Sequence, residues 1–391
     1  MPSEAVPWWR DSSLGAAGSA RISAISAWQL APLATEPMRF SEVAPSVVPR
    51  QTVVSVEISD EGTTETGIAA ITRYLPEGWK EADPPLENLL SSWLGFPVAA
   101  LPNEPTTEDI YEPSGHFLQA AVTLAGLDAL GRRTGLPAAT FLGGIHRSSL
   151  PAYASLPSFP DVDGAVDCAE NAADQGFRSV KLHASGVVDV DVETIAAARR
   201  RLGPSMRLIW DASRAYDVSD AQRVGHTLDE HGYLWFEAPL EEDSSPALER
   251  LARRVSVALV PDGMAQRSVG DWARDLTNGI WGGLRLDLTR VGSISFALRL
   301  VRLAESMGVQ CEIQSFGFPL SQYANLQLMI ATRSCRFFEC PFPSAGLEDG
   351  IVKAPEVIDG NVRLPAAPGL GHGVSVAEIG RDRPLLTPLS S

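Results

Sequence analysis

The chain has 391 residues, 45% of them apolar and 20% charged, with a formal net charge of -16. That length exceeds one ordinary domain, and the apolar share suits a soluble protein with a large core. The acidic balance argues against nucleic acid and anionic membrane as partners, because both demand a basic surface. A local cation or a metal could still bind a small anionic substrate against that mean field. No run of 18 apolar residues reads as a membrane span. Cys168, Cys311, Cys335 and Cys340 have neither zinc-type spacing nor the pattern of a disulfide framework. The first 21 residues carry Trp8, Trp9 and Arg10 but no apolar h-region, so they do not read as a signal peptide, and a cytoplasmic location is the expectation.

In chain order, residues 1–20 are rich in Ser, Ala and Gly and read as a flexible segment. Alternation over 21–28 and 52–58, with Val54, Val56 and Ile58 on one face, predicts two or three antiparallel strands. The stretch 29–51 between them is long for a hairpin, as lids and binding loops often are, and Trp28 at its start is a candidate for the pocket mouth, with core packing the equal alternative. Residues 81–105 are proline-rich and connect. From 114 to 135 the pattern is helical, with Ala120, Leu124, Leu127 and Leu130 on one face. An α+β unit spanning 21–148, completed by a C-terminal segment 356–391, is the first domain. From 149 to 355 strand and helix alternate, with strand candidates at 152–155, 179–183, 207–211, 233–237, 257–261, 283–288, 309–313 and 336–339. Eight strands with intervening helices in this span indicate a parallel (β/α) barrel. An open doubly wound sheet is the alternative, but it wants a glycine-rich phosphate turn after its first strand, and none is present.

Barrel chemistry sits at the C-terminal ends of the strands. Those ends carry Lys181 and His183, then Asp211, Glu237, Asp262, Asp287, Gln314 and Glu339. Only three of the 32 basic residues are lysines (Lys80, Lys181 and Lys353), so a lysine in the strand Ser179-Val180-Lys181-Leu182-His183 asks for a reason. Lysine can lose its proton when desolvated and arginine cannot, although a lysine also simply caps strands that meet solvent. Asp211, Glu237 and Asp262 each close an apolar run, 26 and 25 residues apart, which is one barrel repeat each. Three ionised carboxylates within about 4 Å would cost roughly 4 kcal/mol per pair at an effective dielectric near 20. A divalent ion offsets that, and all-oxygen ligation suits Mg²⁺. The plainer alternative is that each acid caps the helix that follows it.

Several further pieces appear in order: Leu127-Asp128-Ala129-Leu130-Gly131, Gly135-Leu136-Pro137, Leu142-Gly143-Gly144, Lys181-x-His183, Asp211-Ala212, Phe236-Glu237-Ala238-Pro239, Asp262-Gly263, Asp287-Leu288-Thr289-Arg290-Val291-Gly292 and Glu339. With these, the chain from about residue 21 to 370 resembles the enolase superfamily, in particular its mandelate racemase and muconate-lactonising branch. The resemblance implies a (β/α)7β modified TIM barrel with an N-terminal α+β capping domain. It implies Mg²⁺ on Asp211, Glu237 and Asp262, abstraction of the proton α to a substrate carboxylate, and an enolate stabilised by the metal and by an acid matching Glu339. It also implies a homo-oligomer, a dimer or an octamer. Three positions depart from the family pattern. His183 stands where the second lysine of Lys-x-Lys is usual. Gln314 stands where the mandelate racemase branch has a histidine paired to the strand-six aspartate, here Asp287. Met264 follows Asp262-Gly263 where Gly-Glu is common. Histidine can act as a base near neutrality but glutamine cannot titrate, so chemistry from one face is favoured. That means dehydration of a hydroxy-acid or acid sugar by a lyase, or epimerisation with Asp287 as a poor partner. Lys181, His183, Asp287 and Glu339 are the catalytic candidates, and Gln314, Arg285 and Trp28 the substrate-binding ones. Arg285 shares the barrel-interior face and could bind a carboxylate or pair with an acid. The competing expectation is a barrel that lost the family catalysis and became a binding protein or does metal-free chemistry.

Overall fold

The computed structural model describes residues 19–30, 38–41, 46–76, 90–103, 116–243, 245–263, 268–344, 346–379 and 389–390. The expected flexible segment, apart from its last two residues, and Met264 lie outside the described residues, as does much of 29–51 and 81–105.

Three antiparallel strands open the fold: β1 (Arg21–Leu30), β2 (Val47–Asp60) and β3 (Thr63–Pro76). Strand alternation sorts their side chains onto two covered faces. Ala27, Val54, Val56, Ile58, Ala69 and Ile71 join the main core under helix α1 (His116–Thr134). The helix lies so close that a Cβ on Gly67 would stand 2.1 Å from the Ala125 carbonyl oxygen. On the other face Trp28, Leu30, Val53, Ile68 and Ala70 pack against Leu320, Val374 and Ile379. Trp28 is thus a core residue on the face opposite Ala27, sealed by the barrel and the tail.

The barrel follows as β4 (Ser149–Ser158), α2 (Val162–Asp174), β5 (Ser179–His183), α3 (Val188–Leu202), β6 (Arg207–Asp211), α4 (Val218–Glu230), β7 (Trp235–Glu237), α5 (Ser245–Ala252), β8 (Ala258–Val260), α6 (Val269–Thr277), β9 (Gly283–Leu286), α7 (Ile294–Met307), β10 (Gln310–Ile313), α8 (Pro319–Ile330) and β11 (Phe338–Pro341). Eight parallel strands separated by seven helices make the expected (β/α)7β barrel among the described residues. Strands β4 to β8 pair in sequence order, β9 pairs β10, and β11 returns to pair with β4. The remaining seams are closed by single bonds. Gly282 N donates to Leu259 O at 2.9 Å, and Cys311 N donates to Ser334 O at 3.2 Å. The Glu312 carboxylate accepts from Arg336 N and Phe337 N, replacing ladder bonds that β10 and β11 do not make. Tyr153, Ile209, Trp235, Val260 and Phe337 fill the barrel interior below the site.

The tail divides. Strands β12 (Val357–Ile358) and β13 (Asn361–Arg363) form a hairpin laid on β4 of the barrel, while β14 (Leu389–Ser390) adds to β1 in the capping sheet. Between them Val374 and Ile379 pack on the capping sheet, and the His372 ring meets Ile68 O at 2.9 Å.

Candidate active site

Parallel register sets His183 beside Asp211 and Asp211 beside Glu237, so the ends of β5, β6 and β7 lie level. The turns leaving two of them are forced. Ser213, Arg214 and Ala238 all have positive φ, at 46°, 63° and 43°. Non-glycine residues in that region cost on the order of 1 kcal/mol or more, and such strain gathers at functional sites. After β8 the turn needs glycine: Gly263 has φ 78°, and a Cβ there would stand 2.0 Å from the Arg285 carbonyl oxygen. These ends surround an open-mouthed cavity of about 120 Å³. Lys181, His183, Asp211, Glu237, Asp262, Arg285, Gln314 and Glu339 all line it.

Its floor is a buried ion cluster. The Lys181 ammonium lies 3.2 Å from Asp211 Oδ2, 3.2 Å from Glu237 Oε1 and 2.8 Å from Glu339 Oε1. The Arg285 guanidinium spans the same acids, 2.8 Å from Glu237 Oε1 and 2.8 Å from Glu339 Oε2, and donates to the Tyr153 hydroxyl at 3.0 Å. Its Nε contact with Glu237 is an ion pair rather than an aligned hydrogen bond. His183 Nε2 lies 3.1 Å from Asp211 Oδ2, and its Nδ1 is buried with no partner among the described residues. An imidazole that gives Nε2–H to Asp211 keeps its lone pair on Nδ1.

Charge is unevenly compensated here. Burial pushes Glu237 up to about 8, against the pull of Arg285 and with the help of Asp211. Burial would also raise Glu339, yet Arg285 and Lys181 together hold it down to about 2. Burial and Arg285 favour the neutral form of Lys181, but Glu237 and Glu339 overcome both and hold it charged, well above the ordinary lysine range. Desolvation alone therefore does not make Lys181 a neutral base, because its acids arrive with it. Glu237 is the acid whose burial is least offset, and with two cations set against Asp211, Glu237 and Glu339 the cluster is short of positive charge.

Asp262 stands apart. Its Oδ1 accepts from Gln314 Nε2 at 3.0 Å, its backbone oxygen from the same amide at 2.7 Å, and its Oδ2 from Arg214 Nη1 at 3.3 Å. Asp211 and Glu237 meet at one ammonium, but among the described residues no three acidic, histidine or cysteine side chains already enclose an ion site. Asp211 and Glu237 share Lys181, while the Asp262 carboxylate is held by Arg214 and Gln314 instead. The donor set still fits Mg²⁺ in kind, being three carboxylates on neighbouring strands of one cavity with negative charge to spare. The Asp262 side chain is 27% exposed and its arginine partner 41%, a pairing weak enough to exchange. Behind it the Glu242 carboxyl accepts from Gly263 N, and burial together with Asp262 pushes it up to about 7.

Two candidates are not brought to the cavity. Trp28 is buried in the capping sheet, as above. Asp287 is buried and its Oδ1 accepts from Thr289 N, Thr289 Oγ1 and Asn325 Nδ2, so it fixes the turn into α7. Sequence reasoning missed Ser155, Arg214, Tyr74, Phe40 and Phe316, which also line the cavity. Arg214 lies three residues after Asp211 and Tyr74 ends a strand, two positions that could have flagged them. Phe40 lies in an irregular stretch with no pattern to read.

A family model described as enolase C-terminal domain-like matches residues 164–378. D-galactarolactone cycloisomerase of Agrobacterium fabrum is 29% identical over 67% of this chain and 71% of its own. The o-succinylbenzoate synthase of Geobacillus kaustophilus is 30% identical over 68% and 70%. Among solved structures, the D-glucarate dehydratase of Agrobacterium tumefaciens complexed with magnesium superposes with a TM-score of 0.71 at 22% identity, covering 93% of this chain and 99% of that one.

Proposed function

The chain belongs to the enolase superfamily, and from that premise we propose that its barrel mouth abstracts the proton α to a carboxylate and stabilises the resulting enolate. The reaction we assign is the one-face elimination of water from a β-hydroxy-carboxylate, in which the α C–H bond breaks to the base, the Cα–Cβ double bond forms, and the β-hydroxyl leaves as water with the proton returned by that same base; epimerisation is second. The observation that carries this reading is His183, oriented by Asp211 through Nε2 and left, among the described residues, with an unpartnered buried Nδ1 at the end of β5. It is the base. Lys181, held charged, and Arg285 supply fixed positive charge next to where negative charge develops, and preorganised charge of that kind is the larger part of such catalysis. Glu339, held ionised, anchors both cations rather than donating a proton. Mg²⁺ on Asp211, Glu237 and Asp262 would supply a Lewis acid for the substrate carboxylate.

A two-base racemisation suits these residues poorly. The Gln314 amide does not titrate and its Nε2 donates to Asp262, while Asp287 Oδ1 accepts from Thr289 and Asn325. The names of the relatives span cycloisomerase and synthase, a range that supports a common first step with different outcomes.

The test is wash-out of the α-proton in D2O, followed by NMR on a panel of hydroxy-acids with Mg²⁺ present. His183→Asn should slow exchange by about 100-fold or more. Unchanged turnover in the double variant Lys181→Ala, His183→Ala would remove the assignment.

A further inference from the structure

We propose that the substrate carries a flat apolar substituent, aromatic or conjugated, beyond its carboxylate, and that Phe40, Tyr74 and Phe316 form the subsite that holds it. The inference rests on the reading above that the ionic floor takes the carboxylate. It concerns the opposite wall, which the ionic chemistry leaves unused.

Three rings meet there. Phe40 stands edge-on to Tyr74 with centroids 5.2 Å apart, and edge-on to Phe316 at 6.0 Å; Tyr74 and Phe316 are 6.5 Å apart. Phe40 comes from the capping side, Tyr74 from the end of β3 and Phe316 from the turn between β10 and α8, so three separate elements converge on one patch. Two hydrogen bonds pin the patch. The Tyr74 hydroxyl donates to Phe316 O at 2.6 Å, and Ser213 Oγ donates to Phe40 O at 3.3 Å. The first of these commits the hydroxyl proton of Tyr74, the one polar hydrogen carried by the three rings. The Arg290 guanidinium lies over the Tyr74 ring at 5.5 Å and extends the same flat wall.

Neutral donors on the cavity wall are already committed among the described residues. Ser155 Oγ donates to Glu339 at 3.1 Å, Ser213 Oγ is shared between Phe40 O and Asp211, and the Gln314 amide is on Asp262. A polyhydroxylated acid would bring several hydroxyls to a wall of ring carbon. Each polar group buried without a partner costs affinity. A planar apolar group meets the same wall with area burial and ring contacts that favour it.

The experiment compares two acids of equal charge, 3-phenyllactate and gluconate, on the full chain with Mg²⁺. Binding is read by calorimetry and thermal melts, and α-proton exchange is read in D2O on the same samples. Phenyllactate should bind about 10-fold tighter or more. Phe316→Ala should weaken it about 10-fold while changing gluconate less than about 2-fold. Phe40→Leu, which keeps apolar volume and loses the ring, repeats the comparison should the alanine variant fail to fold. Equal or tighter binding of gluconate, or phenyllactate affinity indifferent to both variants, overturns the proposal. Exchange from gluconate alone overturns the substrate class and leaves the α-proton reading standing. Tight, ring-dependent binding of phenyllactate with exchange from neither acid upholds the subsite and overturns that reading instead.

Discussion

The floor and the rim of the cavity use the same ion-pair chemistry to opposite ends. On the floor, Lys181 and Arg285 are sealed against Asp211, Glu237 and Glu339 at 2.8 to 3.2 Å, with every partner buried. On the rim, Arg214 reaches Asp262 at 3.3 Å and Glu241 at 3.8 Å, in contacts open to water. Buried pairs cannot lose one member without stranding a charge, whereas exposed pairs exchange cheaply. The floor is therefore a fixed field and the rim an adjustable one. The third acid of the expected metal set belongs to the adjustable part.

The largest expected effect comes from emptying the floor. Arg285→Leu leaves Lys181 alone against Asp211, Glu237 and Glu339 and should cost about 3–5 kcal/mol of stability, read as a lowered urea midpoint. A loss below about 1 kcal/mol would make floor and rim alike. Glu339→Gln should come next, with a pH signature. The native carboxyl is depressed to about 2, so its stabilisation is complete above the ordinary carboxylate range and disappears as pH falls through the folded value. The gap between wild type and variant should be about 3 kcal/mol at neutral pH and narrow steadily below about pH 4.5. A pH-independent gap would place the ionised form elsewhere. Smallest is Arg214→Ala. It should move stability by less than about 1 kcal/mol, yet release Asp262 and tighten Mg²⁺ binding by about 2- to 5-fold in calorimetry. Weaker binding would show that Arg214 supports the ion site rather than competing for it.

Much of this division was legible in the sequence, for a physical reason. A barrel strand is an apolar run whose last inward residue meets the cavity, so Leu208-Ile209-Trp210-Asp211 and Leu234-Trp235-Phe236-Glu237 announce both the strand and its active end. Lys181 is equally visible, a scarce lysine in a strand, but its charge state is not. That depends on Glu237 and Glu339, far away in sequence and brought within 3.2 Å only by barrel closure. Arg285 was readable as facing inward, with its partner left open between substrate and acid; closure sets it on two acids. Asp287 was read by strand register, and the turn bonds from Thr289 and Asn325 divert it. Trp28 was misplaced because a strand beside a long loop looks like a pocket mouth until the tail and α8 cover that face. The aromatic wall was out of reach altogether, since its three rings come from three elements with no shared periodicity.

The central claim is that the acids ending β6, β7 and β8 bind a divalent ion although the third is turned aside at rest. The direct measurement is a Mg²⁺ titration of wild type and Asp262→Asn followed by thermal melts. An ion bound to the native state alone raises the melting temperature with concentration, by the equivalent of about 2.7 kcal/mol at 100 times its Kd. The account predicts a saturating rise for wild type and a curve displaced to much higher Mg²⁺ for the variant. A flat wild-type response at millimolar Mg²⁺, or identical curves for the two proteins, would contradict it.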